Sequence, residues 1–173
     1  MHLESFCKLE SKYNKYILFI LLFFNFFLSL NALPPLDRDE SRYLQSTTQM
    51  IETSDYINIK FLDTARVKKP PGIYWLQAGT VHVVKEIFFL EKIPVWIYRL
   101  PSAIGATIAV WLTLLIGKTL FNKKVGFIAA LLLMSTPLVI VESHIAKTDS
   151  VLLACVLFAL LALAKIISAS DLK

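Results

Sequence analysis

Apolar residues in this chain are concentrated in four long runs, and polar, charged segments separate them. The runs cover residues 16–33, 101–120, 125–141 and 150–169, and the centre of each is free of charge. A helix needs roughly 17–25 apolar residues to cross the hydrocarbon core of a bilayer. We therefore predict an all-α, polytopic membrane protein with about four transmembrane helices. Pro137 in the third run is compatible with this, since membrane helices tolerate proline.

The first run has two interpretations. Basic residues precede it and small residues lie near Ala32, as in a secretory signal peptide. Its apolar part is longer than a usual signal sequence, and Leu30 with Ala32 is a poor cleavage pair. We interpret the run as a retained helix, with a cleaved signal peptide as the alternative.

Lysines predict the orientation of these helices. They lie before the first run and between the second and third runs, as Lys8, Lys12, Lys15, Lys118, Lys123 and Lys124. Short cytoplasmic loops are rich in Lys and Arg, so residues 1–15 are predicted to be cytoplasmic. Residues 34–100 and the short loop 142–149 then share the outer face.

The long outer segment has elements of its own. After the break at Pro34-Pro35, a helix is predicted from about Asp39, because apolar residues recur there at helical spacing. A short hairpin is predicted next, turning near Asp63-Thr64. The stretch "KKPPGIYWLQAGTVHVVKEIFFL" then predicts a strongly apolar helix that starts after the double proline and lies near the lipid headgroups.

Composition supports a membrane protein and excludes some other classes. The chain is 56% hydrophobic and 18% charged, with a mean hydropathy of +0.62, whereas soluble domains are about 45–50% apolar and about 25% charged. The net charge of +5 comes from cations beside apolar runs, so a nucleic-acid-binding face is not indicated. Cys7 and Cys155 form no recognisable disulfide or zinc pattern.

Ordered motifs relate the chain to a known superfamily. They are "DESRYLQSTTQMIETSDYI", "KKPPGIYWLQA", "YRLPSAIGA" and "IAKTDSVLL". In this order and spacing they resemble the amino-terminal part of the dolichyl-phosphate-mannose/aminoarabinose transferase superfamily. Its members are polytopic GT-C glycosyltransferases that use polyprenyl-phosphate sugars. The resemblance covers about Asp37 to Leu153. Departures occur at Ser54-Asp55, where Gly-Asp is usual, at "LDTARV", which replaces a more usual Asn-Gly turn, and at Gly72.

The resemblance implies a role for each matching residue. Asp39 would take the acceptor proton or orient an anionic acceptor, with Glu40 as the second acid of the pair. Lys69 would contact the donor phosphate, and Asp149 would help to hold the acceptor. Further candidate phosphate ligands are Lys68, Arg42 and Arg99. Because the leaving group is a phosphate, the reaction needs one base and cations rather than the acid–base pair of glycoside hydrolysis.

Simpler interpretations of the same residues remain open. Asp39 and Glu40 suit a solvated first helical turn, and Asp149 or Thr148 could cap the fourth helix. Interfacial anchoring could account for the cations Lys68, Lys69 and Arg99. Glu142, His144 and Asp149 are too irregularly spaced to predict a metal site, and no cofactor is predicted.

The predicted function is sugar transfer, with inversion, from a polyprenyl phosphate to a lipid, glycan or protein acceptor. The predicted place is the outer face of a bacterial inner membrane, among membrane lipids. Because superfamily members are much longer, we interpret the chain as a fragment, an inactive remnant of a split gene, or a subunit completed by a second polypeptide. A non-enzymatic scaffold or transporter subunit is the alternative, although uncharged spans disfavour a transport path.

The transferase interpretation makes one geometric demand. Asp39 and Lys69 must converge in a cleft at the outer boundary of the membrane.

Overall fold

The computed structural model describes residues 13–32, 34–35, 38–66 and 69–170, and within them the predicted all-α class is confirmed. The predictions for Cys7, Lys8, Lys12 and Lys68 fall outside the described residues. The helices are α1 (Tyr13–Phe27), α2 (Arg38–Thr53), α3 (Gly72–Phe88), α4 (Val95–Leu120), α5 (Lys123–Met134), α6 (Pro137–Ser143) and α7 (Asp149–Ser170). The strands β1 (Lys60–Phe61) and β2 (Thr64–Ala65) lie between α2 and α3.

Two of the described helices are long and apolar enough to cross a membrane. They are α4 and the Asp149–Ala169 part of α7. The pair α5 and α6 adds a third span if the two helices, bent by 63°, count as one. The described part of α1 has 15 residues, which is shorter than a spanning helix needs. The predicted number of four spans therefore stays a prediction.

The predicted helix over residues 125–141 is interrupted at its proline. α5 ends at Met134, and Thr136 takes an extended conformation before Pro137 starts α6. Proline lacks an N–H and collides with the carbonyl four residues earlier, and the residue before it avoids helical angles. The Asn25 side chain donates to the Met134 carbonyl at 2.9 Å, so α1 supplies a partner for the backbone at this break.

The first helix ends at Phe27, before the predicted limit at residue 33. Residues 28–32 form a turn in which Ser29 has a positive φ of 76°. The carbonyls of this turn bond to distant side chains: Arg99 donates to Leu30 O at 2.6 Å, and His144 Nε2 lies 3.0 Å from Leu28 O. Tertiary partners therefore replace the helical hydrogen bonds that an isolated apolar run would form.

Small residues let α4 approach its neighbours closely. An added Cβ at Gly105 would lie 2.9 Å from Val151 N, at the start of α7. Gly117 of α4 faces Gly126 of α5 so closely that a Cβ on Gly126 would lie 2.5 Å from Leu114 O. Both contacts are with backbone atoms, which cannot rotate away as a side chain could.

We expect Gly126→Ala to destabilise the protein by about 1–3 kcal/mol, the usual range for overpacking. Unfolding in detergent, followed by heat or denaturant, measures this loss. Gly79→Ala is the matched control, because nothing lies within 4 Å of the Cβ it would add, and alanine favours a helix interior over glycine by up to about 1 kcal/mol. Equal stability of the two variants would contradict the close α4–α5 contact.

The segment between α1 and α4 folds as predicted into a helix, a hairpin and a second helix. α2 buries one helical face, formed by Glu40, Tyr43, Ser46, Thr47 and Met50. The hairpin pairs Phe61 with Thr64 and is held to α2 by a hydrogen bond from Gln49 to Leu62 O at 2.9 Å. Pro71 occupies the N-cap position of α3. A shared apolar cluster joins these elements, with Met50, Ile59, Ile73 and Tyr74 among its members. The headgroup location of α3 stays a prediction.

Candidate functional site

The first turn of α2 presents Asp39 to solvent. Asp39 is exposed, and its Oδ1 lies 3.2 Å from the guanidinium of Arg42, one turn further along the helix. An exposed pair of this kind contributes little to stability. Both side chains therefore remain accessible to a ligand at the surface of α2.

Glu40, the next residue, faces the interior. It is 1% exposed, and its two oxygens accept hydrogen bonds from Arg99 Nε at 2.7 Å and Arg99 Nη2 at 3.1 Å. Oε1 also accepts the backbone N–H of Ala146 at 2.9 Å. Arg99 is 3% exposed and uses Nη1 to donate to Leu30 O. This bidentate pair joins α2, α4, the turn after α1 and the loop before α7.

A second set of buried hydrogen bonds also joins α2 to the loop before α7, in this case through α3. The hydroxyl of Thr47 donates to Gln77 Oε1 at 2.6 Å, and Gln77 Nε2 donates to Ala146 O at 3.4 Å. The backbone of Ala146 is therefore held through its N–H by Glu40 and through its carbonyl by Gln77. Ala146 lies three residues before Asp149, so both links fix the loop that leads into α7, which begins with this acid.

Tyr43 joins α2, which carries Asp39, to the start of α7, which carries Asp149. Its hydroxyl is 2.9 Å from the hydroxyl of Thr148, the residue before Asp149. The carbonyl of Thr148 accepts the N–H of Leu152 at 2.9 Å, which places Thr148 at the N-cap position and leaves Asp149 exposed on the first turn. Asp39 lies one turn before Tyr43 in α2. The amino-terminal end of α2 is therefore close to the start of α7.

The beginning of α3 packs against the same tyrosine. The rings of Tyr43 and Tyr74 are 5.4 Å apart, centroid to centroid. Tyr74 lies in the first turn of α3, and Lys69 precedes that helix by a few residues and is exposed. The second turn of α2 and the beginnings of α3 and α7 therefore meet around Tyr43. The predicted convergence of Asp39 and Lys69 is compatible with this arrangement, although no described contact joins their side chains.

Arg66 belongs to this cluster, although sequence reasoning did not select it. Its guanidinium lies over the Tyr43 ring, 5.1 Å from the centroid, and its Nε donates to Tyr74 Oη. Burial raises the pKa of Tyr74 above its ordinary value, against the opposing effect of Arg66. The Tyr74 phenol is therefore neutral near pH 7 and keeps its own proton to donate. Nothing in the local sequence marks Arg66, because its place depends on how the hairpin packs.

Two grooves lie next to this cluster. An open groove of about 420 Å³ runs between α2 and the hairpin and is lined by Arg38, Ser41, Arg42, Gln45, Phe61 and Leu62. An apolar groove of about 430 Å³ lies between α3, α4 and α7, with Leu76, Ile104, Ile108 and Phe158 among its lining residues. The first offers cations beside Asp39, and the second offers an apolar surface that suits a hydrocarbon chain.

Comparison with known proteins identifies relatives. The model of the dolichyl-phosphate-mannose-protein mannosyltransferase family matches residues 68–173, more than half of the chain. An undecaprenyl phosphate-alpha-4-amino-4-deoxy-L-arabinose arabinosyl transferase of Pseudomonas savastanoi pv. phaseolicola (strain 1448A / Race 6) is 35% identical over 98 residues, 56% of this chain and 17% of the relative.

Two similarly named proteins of Pseudomonas fluorescens (strain Pf0-1), transferases 1 and 2, are 28% and 29% identical over 112 residues, 64% of this chain. The matches cover 18% and 19% of those relatives. The chain therefore spans less than a fifth of the length of the curated relatives it matches. No solved structure matches it.

Proposed function

Because this chain belongs to the dolichyl-phosphate-mannose-protein mannosyltransferase family, we propose that it takes part in membrane glycosyl transfer. The donor is a polyprenyl-phosphate sugar, and the acceptor is a lipid, a glycan or a protein. The names of the similar arabinosyl transferases support an undecaprenyl-phosphate donor. The reaction takes place at the outer face of the membrane.

One observation carries this proposal: Tyr43, in the second turn of α2, contacts the beginnings of α3 and α7. It contacts Tyr74 of α3 through its ring and Thr148 through its hydroxyl. Exposed acids, Asp39 and Asp149, stand at the starts of α2 and α7. Arg42 pairs with Asp39, and Lys69 precedes the first turn of α3. Both cations suit a phosphate. Sugar transfer from a lipid phosphate needs the acids and the cations in one site.

Each exposed residue has a proposed task. Asp39 accepts the acceptor proton, or orients an acceptor that is already anionic, while the sugar moves. Lys69 and Arg42 stabilise the charge that remains on the phosphate when the glycosidic bond breaks. Asp149 holds the acceptor. Lys68 stays a further candidate phosphate ligand, and the apolar groove under α3 offers a place for the hydrocarbon tail of the donor.

Glu40 and Arg99 take a different role in this proposal from the one that the resemblance implies. Their hydrogen-bonding atoms bind one another, Leu30 O and Ala146 N. We therefore assign them a positioning role, in place of direct contact with the acceptor or the phosphate. They hold α2, which carries Asp39, and the loop that leads to Asp149 at the start of α7.

The membrane setting is also part of the proposal. The inner membrane of a bacterium, with the amino terminus in the cytoplasm, places the site on the outer face. A second polypeptide that supplies further helices could complete the groove for the donor lipid.

A transfer assay tests the proposed function. Membranes that contain the chain, with and without candidate partner polypeptides, receive an undecaprenyl-phosphate sugar labelled in the sugar. Label that appears in an acceptor and depends on this chain supports the proposal. Absence of transfer with every partner would favour the non-enzymatic alternative.

We expect Lys69→Gln to raise the KM for the donor by about 10- to 100-fold. A hydrogen bond to a charged group contributes about 1.5–3 kcal/mol, and each 1.4 kcal/mol is about tenfold in affinity. Initial rates at several donor concentrations measure the effect. Lys85→Gln is the matched control, because Lys85 is exposed in the last turn of α3. An unchanged KM in the Lys69 variant would remove this residue from the phosphate site.

A further inference from the structure

Arg66 occupies a defined position at the end of the hairpin. Its backbone N–H donates to Ile59 O at 2.8 Å, which extends the pairing of β1 with β2. Its guanidinium lies 5.1 Å from the Tyr43 ring centroid and 5.9 Å from that of Phe61. Together with the bond from Nε to Tyr74 Oη, these contacts set the plane of the guanidinium.

The charge of Arg66 is not matched by a carboxylate as the charges of Arg42 and Arg99 are. Arg42 pairs with Asp39, and Arg99 pairs with Glu40. Arg66 has no carboxylate partner among residues 13–32, 34–35, 38–66 and 69–170. The hydrogen bond to Tyr74 uses one of its five N–H donors, so the two terminal amino groups have donors to offer a ligand.

A half-buried guanidinium that aromatic rings hold in a fixed orientation is suited to bind an anion. The planar guanidinium can bind two phosphate oxygens at once, which a lysine ammonium cannot do. Lys69 follows three residues later, within about 11 Å of chain. Two long cationic side chains at this separation can reach the same phosphate group.

We infer that Arg66 is a second cation of the donor-phosphate site, held in orientation by Tyr43, Phe61 and Tyr74 and acting together with Lys69. The inference rests on the proposed function and deepens it. It assigns phosphate recognition to the hairpin as well as to the segment before α3. It also gives the two tyrosines a role, since Tyr43 and Tyr74 both contact the guanidinium group.

Binding of two lipid probes to the full chain in detergent tests this inference separately from transfer. The probes are undecaprenyl phosphate and undecaprenol, which share the hydrocarbon chain and differ in the phosphate. We expect Arg66→Gln to weaken binding of undecaprenyl phosphate by about tenfold or more and to leave undecaprenol unaffected. Native mass spectrometry or tryptophan fluorescence gives both affinities.

Two further variants sharpen the comparison. Arg66→Lys keeps the charge but loses the planar fork, and its affinity for undecaprenyl phosphate should lie between those of the wild type and Arg66→Gln. This variant also carries the test if the glutamine variant does not fold. Lys92→Gln removes an exposed cation from the loop between α3 and α4 and should bind both probes as the wild type does.

The outcomes separate the two hypotheses. Arg66 variants that bind undecaprenyl phosphate as tightly as the wild type would overturn the inference and leave the proposed function intact. Equal weakening for both lipids would show that Arg66 only supports the fold, and would also overturn it. A wild-type chain without preference for the phosphate-bearing lipid would contradict the proposed function itself, and the inference with it.

Discussion

Replacing Asp39 with asparagine is expected to lower the rate of sugar transfer by about 100- to 10,000-fold, the contribution typical of a positioned general base. Asparagine has nearly the same shape but cannot accept a proton. Because Asp39 is exposed and its ion pair with Arg42 lies at the surface, the folded protein should keep its stability. The measurement is transfer of labelled sugar in membranes with equal amounts of each variant.

A matched carboxylate variant is needed for this comparison. Glu86→Gln removes an exposed acid near the carboxyl end of α3, away from Lys69. This variant should transfer sugar at the wild-type rate. Retained activity in Asp39→Asn would show that Asp39 belongs only to a solvated helix start. Loss of activity together with loss of the protein from the membrane would assign Asp39 to folding and contradict its proposed role as base.

Breaking the buried ion pair is expected to have the largest effect on stability. Arg99→Leu leaves the Glu40 carboxylate buried without its guanidinium, and Glu40→Leu leaves Arg99 in the same condition. Removing one partner of a buried pair typically costs about 3–5 kcal/mol. Unfolding in detergent, followed by heat or denaturant, measures the loss. Arg42→Gln is the exposed counterpart and should cost about 0.2–1 kcal/mol.

The double variant Glu40→Leu with Arg99→Leu distinguishes a mutual interaction from two separate roles. Replacing both charges by apolar residues is often far less harmful than removing one. The double variant should therefore lose less stability than the sum of the single losses. Some loss remains, because Leu30 O and Ala146 N each lose a partner. Strict additivity of the two losses would contradict the coupling of α2 to α4.

The candidate site was only partly accessible from sequence. Asp39, Arg42, Lys69 and Asp149 belong to ordered local motifs at or near helix starts. Asp39, Lys69 and Asp149 are exposed there, and Arg42 is partly exposed. The helical period contained a signal that Glu40 differs from Asp39, since Glu40 shares the face of Tyr43 and Thr47. Nothing local indicated that its partner is Arg99, 59 residues away.

Arg66 and Gln77 were missed for the same reason. Arg66 packs against the rings of Tyr43 and Phe61 and donates a hydrogen bond to Tyr74. Gln77 accepts a hydrogen bond from Thr47 and donates one to Ala146 O. Each of these roles needs contacts between separate elements. Hydropathy and periodicity describe a residue within its own element, so they carry no information about which element will pack against it.

The amino-acid sequence alone determined the class of this protein: apolar helices with an intervening segment of helix, hairpin and helix, bearing the motifs of its family. Those properties are local, because they follow from hydropathy, from helical period and from turn residues. Tertiary structure alone decided that Glu40 pairs with Arg99, that Arg66 lies against Tyr43 and Phe61, and that Tyr43 meets Thr148 from 105 positions away. Long-range packing selects these features, since several conformations of each segment satisfy its local preferences equally well.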